Sequence, residues 1–254
     1  MSTEKQLLVI AHRGAKGEAP ENTLAAFRLG LEQGCDAIEL DIHLSKDGEL
    51  IVIHDATLDR TTDMKGAVND LTVAELKQAD AGSWFDEKFA GERLPLLEEV
   101  FDLTPPDVMI NVEIKGSYGR KLEHALCALM KRKNRVHNVV VSSFDHKSLM
   151  FLKLLLPEAK IGLLYDMNAA KHSALADTLG LPVYSLHPNM KRIDTEDVRE
   201  AIERGLRVYP YTINDEAQMQ EAIDYGVSGI ITDYPGRLNG LLDRQPRAAA
   251  GAAR

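Results

Sequence analysis

The chain has 254 residues, 44% of them hydrophobic, enough to bury a substantial core as one domain or two. Its formal net charge of −9 disfavours DNA or an anionic membrane surface as partner, although single basic residues can still bind one small phosphate. Two cysteines, Cys35 and Cys127, are too few for a disulfide framework and lack metal-knuckle spacing, so they read as small buried hydrophobes.

The start carries no basic leader, and no window approaches the roughly 18 unbroken apolar residues of a membrane span; the expectation is a soluble cytoplasmic protein. The first predicted strand, 7–12, runs through Leu7-Leu-Val-Ile-Ala11 into His12-Arg13-Gly14. A helix follows, with Asn22 as its expected cap, and stops at Gly34. Strands 37–44 and 49–54 then flank Lys46-Asp47-Gly48, which reads as a hairpin-type turn, and the second of them ends in His54-Asp55.

Residues 56–106 break the rhythm with a turn at Met64-Lys-Gly66, a helix over 73–78, the sole tryptophan Trp84, and Pro95, Pro105 and Pro106. So long an interruption reads as an inserted cap on the functional face, with Trp84, Phe85 and Phe89 as its own small core in preference to direct ligand contact, two readings that are compatible. Strand 109–115 ends in Glu113-Ile-Lys115, and further strands are expected at 139–144, 160–165, 183–187, 207–213 and 229–233. Gly180, Gly205 and Gly226 stop the helices before the last three, and Asp194 and Asn214 open helices as caps. The tail 245–254, rich in alanine, reads as disordered, leaving 1–244 as a single domain.

Eight principal strands alternating with helices, in about 250 residues, point to an α/β (β/α)8 TIM-type barrel with a small inserted cap region after the second strand unit. A doubly wound open sheet competes, but no glycine-rich nucleotide fingerprint follows the first strand. In a barrel wrapped by helices, Ile38, Leu40, Ile42 and Leu44 face the helices, and Glu39, Asp41 and His43 point inward; Ile110, Val112 and Ile114 likewise oppose Asn111, Glu113 and Lys115. In an antiparallel sheet the same alternation would only mark a solvated face. Buried together, Glu39, Asp41 and Glu113 need a cation, and hard oxygen ligands without cysteine favour one Mg²⁺ or Ca²⁺ over zinc.

His12 and His54 both end strands beside charged partners and can serve as acid and base across a bound phosphodiester, with Arg13 and Lys115 on its phosphate. His43 lies nearer the turn and reads as a residue behind this cluster or on the surface. His124, His137, His146 and His172 read as structural or exposed. His187, ending its strand, has two readings: lining a substrate pocket or capping a layer of the barrel.

In order along the chain, these blocks resemble the glycerophosphodiester phosphodiesterase family, especially its cytosolic bacterial members. The match rests on His12-Arg-Gly14 with Pro20-Glu-Asn-Thr23, Glu39-Leu-Asp41 with Lys46-Asp-Gly48, and His54-Asp55 with Leu58-Asp-Arg-Thr-Thr62. It continues through Glu113-Ile-Lys115, Ser142-Ser-Phe144 and Thr232-Asp-Tyr-Pro235, and 81–98 is similar to the family's insertion. Tyr211 stands where members commonly carry tryptophan, which alters one pocket wall.

The resemblance implies His12 and His54 as the acid/base pair, Glu39, Asp41 and Glu113 as ligands of one divalent cation, and Arg13 and Lys115 on phosphate oxygens. The implied substrate is a small-molecule glycerophosphodiester such as glycerophosphocholine or glycerophosphoethanolamine, giving sn-glycerol 3-phosphate and an alcohol. Which histidine is the acid, and whether water or the glycerol 2-hydroxyl attacks first, stay open. Phospholipase C-type cleavage, lysophospholipase D-type activity and a non-catalytic binding barrel are the alternatives. The acidic trio argues against the first, the 6% aromatic content gives the second little support, and the full set of histidines and carboxylates argues against the third.

Overall fold

The computed structural model describes residues 7–243, so the predicted tail 245–254 lies outside the described residues. The strands are β1 (Leu8–His12), β2 (Ala37–Leu44), β3 (Leu50–Val52), β4 (Met109–Ile114), β5 (Val139–Ser143), β6 (Lys160–Tyr165), β7 (Ser185–Pro188), β8 (Arg207–Val208) and β9 (Gly229–Thr232). The helices are α1 (Leu24–Glu32), α2 (Val73–Leu76), α3 (Leu97–Leu103), α4 (Lys121–Arg132), α5 (His146–Leu155), α6 (Thr195–Glu203), α7 (Glu216–Asp224) and α8 (Pro235–Leu241).

Eight strands are parallel, in the order β8-β7-β6-β5-β4-β2-β1-β9, and β3 pairs antiparallel with β2 as the predicted hairpin. The two ends of this order meet through backbone hydrogen bonds, from Ser228 N–H to the Val208 carbonyl at 2.9 Å and from Ile231 N–H to the Pro210 carbonyl at 3.1 Å. The result is a nearly closed barrel, as the strand count predicts. Regular pairing in β8 stops after Val208, short of the predicted 207–213, because Pro210 has no N–H to give. Tyr209 and Tyr211 still donate to the carbonyls of Leu186 and Pro188, so the segment continues along the wall.

Apolar residues alternate to the outside of the sheet, where Val9, Ile38, Leu40, Ile110 and Val112 pack in the main core against the helices. Inside the barrel a small plug of Ile10, Ala37, Tyr209 and Ile231 closes the floor. Glycines 34, 180, 205 and 226 all take positive φ, from 63° to 83°, and end the preceding helical turns as expected.

Two of the three predicted helix caps move by one residue. Thr23, not Asn22, accepts from the Ala26 N–H, and Asp215, not Asn214, accepts from the N–H groups of Ala217 and Gln218. Asp194 caps α6 as predicted. The insertion also differs inside. Its buried cluster is aliphatic, built on Ile51, Ile53, Leu58, Val68, Leu76 and Leu94. Trp84, Phe85 and Phe89 instead stack edge to face at its surface, with Trp84 39% exposed. Among the described residues no helix is long and apolar enough to cross a membrane.

Candidate active site

Strand register assembles the site. Pairing of β1 with β2 sets His12 opposite Glu39, and pairing of β2 with β4 sets Asp41 opposite Glu113. His12 and Glu113 lie at the C-terminal ends of β1 and β4, and register brings Glu39 and Asp41 of the longer β2 level with them, on the side where barrel loops converge. A cavity of about 270 Å³ opens there; its polar wall includes His12, Arg13, Glu39, His54, Glu113 and Lys115.

The loop after β1 is locally strained. Arg13 takes φ 54° and Asn22 φ 59°, a region that costs an ordinary side chain roughly 1–3 kcal/mol. The strain directs the Arg13 N–H to Glu39 Oε2 at 3.0 Å, and lets Asn22 Nδ2 donate to Asp41 Oδ2 at 2.9 Å. Gly14 follows at φ 82°, where a Cβ would stand 2.5 Å from the Ala26 carbonyl carbon, so this close approach to α1 admits only glycine.

Each histidine is held by an aspartate. His12 Nδ1 lies 2.6 Å from Asp233 Oδ1, and His54 Nδ1 lies 2.6 Å from Asp55 Oδ1. A carboxylate only accepts, so Nδ1 carries the proton in both rings and Nε2 is left as the basic atom. His54 Nε2 accepts from Lys115 Nζ at 3.1 Å, and His12 Nε2 stands 3.9 Å from Glu39 Oε2. Burial lowers the pKa of both rings below the ordinary histidine value and outweighs the support of their aspartates. Both are therefore neutral bases at rest. Asp233 is itself fixed by Asn214 Nδ2 at 2.8 Å, with Lys16 Nζ 3.7 Å away.

Glu39, Asp41 and Glu113 are buried, and each offers an oxygen within 4.8 Å of the others. Burial and then the Asp41 charge push Glu113 up to about 7, and the same two causes, with Glu113, raise Glu39 well above the usual carboxylate range. Burial works against an ionised Asp41 too, but Arg13, Lys115 and His54 overcome it and keep its pKa low. Lys115 Nζ donates to Glu113 Oε1 at 2.8 Å and lies 3.7 Å from Asp41 Oδ1, an oxygen that is buried without a hydrogen-bond partner. Three crowded carboxylates with an orphaned oxygen fit a hard divalent cation, and the trio can hold one.

The remaining predicted residues divide. Arg13 borders the cavity while its guanidinium reaches Glu21 Oε1 at 2.8 Å and Asp41 Oδ2 at 3.1 Å. Tyr211 lines the apolar wall beside Phe144, Leu164 and Ile231, and gives its hydroxyl hydrogen to the Tyr165 carbonyl at 3.1 Å. His187 does not reach the cavity. It is wholly buried, bonded through Nε2 to Ser185 Oγ at 2.8 Å and set edge-on to Tyr209, so it takes the second of its two readings and fills a barrel layer beside the side-chain-free Gly162. His43 lies behind the cluster, accepting from the Tyr118 hydroxyl at Nδ1 and donating from Nε2 to the His54 carbonyl at 3.0 Å.

Asp233, Asp55, Glu21, Arg60, Asn111 and Phe144 also border or brace the site, with no role legible in the sequence. Each sits inside or beside one of the motif segments, but nothing in a linear segment tells which side chain turns back to grip a histidine.

A parallel barrel with two histidine–aspartate pairs over a buried acidic trio belongs to the class of barrel phosphodiesterases. Residues 12–237 match the model of the glycerophosphoryl diester phosphodiesterase family. A glycerophosphodiester phosphodiesterase of Caldanaerobacter subterraneus subsp. tengcongensis is 45% identical over 238 residues, 92% of this chain and 97% of that protein. One of Bacillus altitudinis is 40% identical, over 90% of this chain and 95% of its own. The solved structure of an Oleispira antarctica phosphodiesterase in complex with the product sn-glycerol-3-phosphate superposes with a TM-score of 0.85 at 31% identity, covering 92% of this chain and 96% of that one. The chain belongs to the glycerophosphoryl diester phosphodiesterase family.

Proposed function

We propose that the chain hydrolyses glycerophosphodiesters such as glycerophosphocholine and glycerophosphoethanolamine, by histidine acid/base catalysis with one divalent cation, releasing sn-glycerol 3-phosphate and an alcohol. The observation that carries this reading is the pair of Nε2 atoms, each freed by an aspartate on Nδ1, on one cavity beside the acidic trio. The product complex of the Oleispira antarctica relative supports the glycerol phosphate half.

Glu39, Asp41 and Glu113 would hold Mg²⁺ or Ca²⁺, which when bound supplies positive charge for the phosphoryl oxygens. Arg13 and Lys115 add fixed positive charge on the cavity wall, where it counts most as charge builds up in the transition state. One histidine takes a proton at Nε2 from the nucleophile, either water or the glycerol 2-hydroxyl. The other must first take up a proton at Nε2 from solvent, becoming an imidazolium beside its aspartate, and then gives that proton to the leaving alkoxide. If the hydroxyl attacks, a cyclic phosphate forms and the two rings exchange roles to open it with water. Asp55 and Asp233 keep each ring turned and steady the imidazolium while it exists.

The test is release of sn-glycerol 3-phosphate from both substrates, first with chelator and then with Mg²⁺ or Ca²⁺ restored. We expect release to vanish and return. Full activity in chelator would remove the trio from the reaction, and release of phosphocholine in place of sn-glycerol 3-phosphate would reassign the bond that is cut.

A further inference from the structure

One side chain of the insertion grips both flanks of the site. Arg60 gives Nε to Asp55 Oδ2 at 2.7 Å and Nη2 to Asp55 Oδ1 at 3.1 Å. The same guanidinium gives Nη1 to Glu21 Oε2 at 3.0 Å and Nη2 to Glu21 Oε1 at 2.8 Å. Each carboxylate then passes the contact inward. Asp55 Oδ1 holds His54 Nδ1, and Glu21 Oε1 holds Arg13 Nη1 at 2.8 Å. Two clamped carboxylates on one guanidinium use four of its five N–H groups, a fit that lysine cannot reproduce.

We propose that Arg60 is a positioning residue, which sets the orientation of His54 and of Arg13 at once by clamping Asp55 and Glu21. The proposal rests on the reading of His54 as acid or base.

An exposed ion pair is ordinarily worth little, and Arg60 is 44% exposed along its side chain. Two facts set this one apart. Glu21 is only 4% exposed, so its charge is costly to leave with a single partner. The backbone under Arg60 is also fixed beforehand: Leu58 is fully buried in the insertion's core, and Thr62 ties back to the Leu58 carbonyl through its N–H at 3.1 Å and its hydroxyl at 2.9 Å. The charge balance acts in the same direction. Without Arg60, Glu21 would neutralise Arg13 alone, and Asp55 would draw on His54 alone. Both would leave less positive charge facing the cavity. The insertion thereby contributes to the site through one arginine, with no residue of 56–106 on the cavity wall.

The experiment measures kcat, KM and melting temperature with glycerophosphocholine and saturating Mg²⁺ for the full chain and for Arg60→Lys, Arg60→Ala, Asp55→Asn, His54→Ala and the double variant Arg60→Lys/Asp55→Asn. We expect Arg60→Lys to lose about 10- to 100-fold in kcat, the scale of a small misplacement of a reacting group, with the melting temperature close to wild type. Dilute guanidinium should return part of the kcat of Arg60→Ala. The double variant should lose less than the product of the two single losses, because both act on one ring. Should Arg60→Ala fail to fold, Arg60→Lys decides alone. Wild-type kcat in Arg60→Lys beside an inactive His54→Ala overturns the proposal and spares the acid/base reading, as do losses that simply multiply. Normal turnover in His54→Ala would overturn both.

Discussion

His12 and His54 make the same pair of contacts, an Nδ1–H given to an aspartate at 2.6 Å and an Nε2 turned to the cavity, but they are built from different parts of the molecule. His12 ends a barrel strand, and its aspartate comes from the loop after β9, 221 positions away. Closure of the barrel itself makes that pair. His54 stands two residues past the end of the hairpin strand β3, which stops short of the predicted 49–54. Its aspartate is the next residue, and the clamp on that aspartate comes from the insertion. The two side chains differ in exposure accordingly, 12% for His12 and 30% for His54. One half of the chemistry is tied to the global fold and the other half to a local addition, and each can be broken separately.

The largest expected effect is loss of either ring. His12→Ala and His54→Ala should each lose about 10²- to 10⁴-fold in kcat, the usual contribution of a general acid or base, with circular dichroism unchanged. Near-normal turnover in both would sink the acid/base assignment. Next come the aspartates, where the halves should separate. Asp233→Asn should cost about 10²-fold, because the amide no longer enforces Nδ1–H and no other described residue holds that ring at hydrogen-bond distance. Asp55→Asn should cost only about 10-fold, because Lys115 at 3.1 Å and His43, at the His54 carbonyl, still constrain the position of the ring. Equal losses in the two variants would mean that the insertion side is held no differently from the barrel side.

How much of this the sequence showed follows the same division. Strand ends were readable because alternation over Ile38–Leu44 and Ile110–Ile114 separates apolar from charged faces, so His12, the acidic trio and Lys115 could be placed at one mouth. The partners were not readable, because they depend on register between segments far apart in the chain. Asn22 and Asn214 are instructive. Both were read as helix caps, and both stand one position before the real cap because their amides hold Asp41 and Asp233. Thr23 and Asp215 beside them can cap equally well, so local propensity could not decide, and the demand of a buried carboxylate did. The aromatic trio misled for the opposite reason. Trp84, Phe85 and Phe89 look like a core by composition, but the insertion's interior was already filled by short aliphatic side chains.

A third prediction concerns the barrel floor beneath both halves. His187 is fully buried, and burial takes its pKa from 6.5 down to about 3. The unfolded chain therefore binds a proton there between those two values, and the folded chain does not. Stability from this group is complete above pH 6.5 and declines as pH falls toward 3, with about 2 kcal/mol gone at pH 5. Urea unfolding of wild type and His187→Gln at pH 7.5 and pH 5 checks this: the glutamine can still accept from Ser185, and the variant should lose less stability on acidification. Identical losses would place the acid-sensitive group elsewhere.

The smallest expected effect is at Trp84, and it sharpens the contrast between what the insertion contains and what it contributes. The ring is 39% exposed, gives its Nε1–H to the Ala81 carbonyl at 2.9 Å and meets Phe85 edge-on. Losing that stack should cost about 1 kcal/mol of stability. Because the ring does not line the cavity, kcat of Trp84→Ala should stay within about twofold of wild type, well short of the scale on which even a small misplacement of a reacting group is felt. A large fall in kcat at unchanged KM would mean that the insertion acts on the site through its aromatic face as well as through Arg60. Unchanged kcat beside a damaged Arg60→Lys would confine its influence to the single arginine.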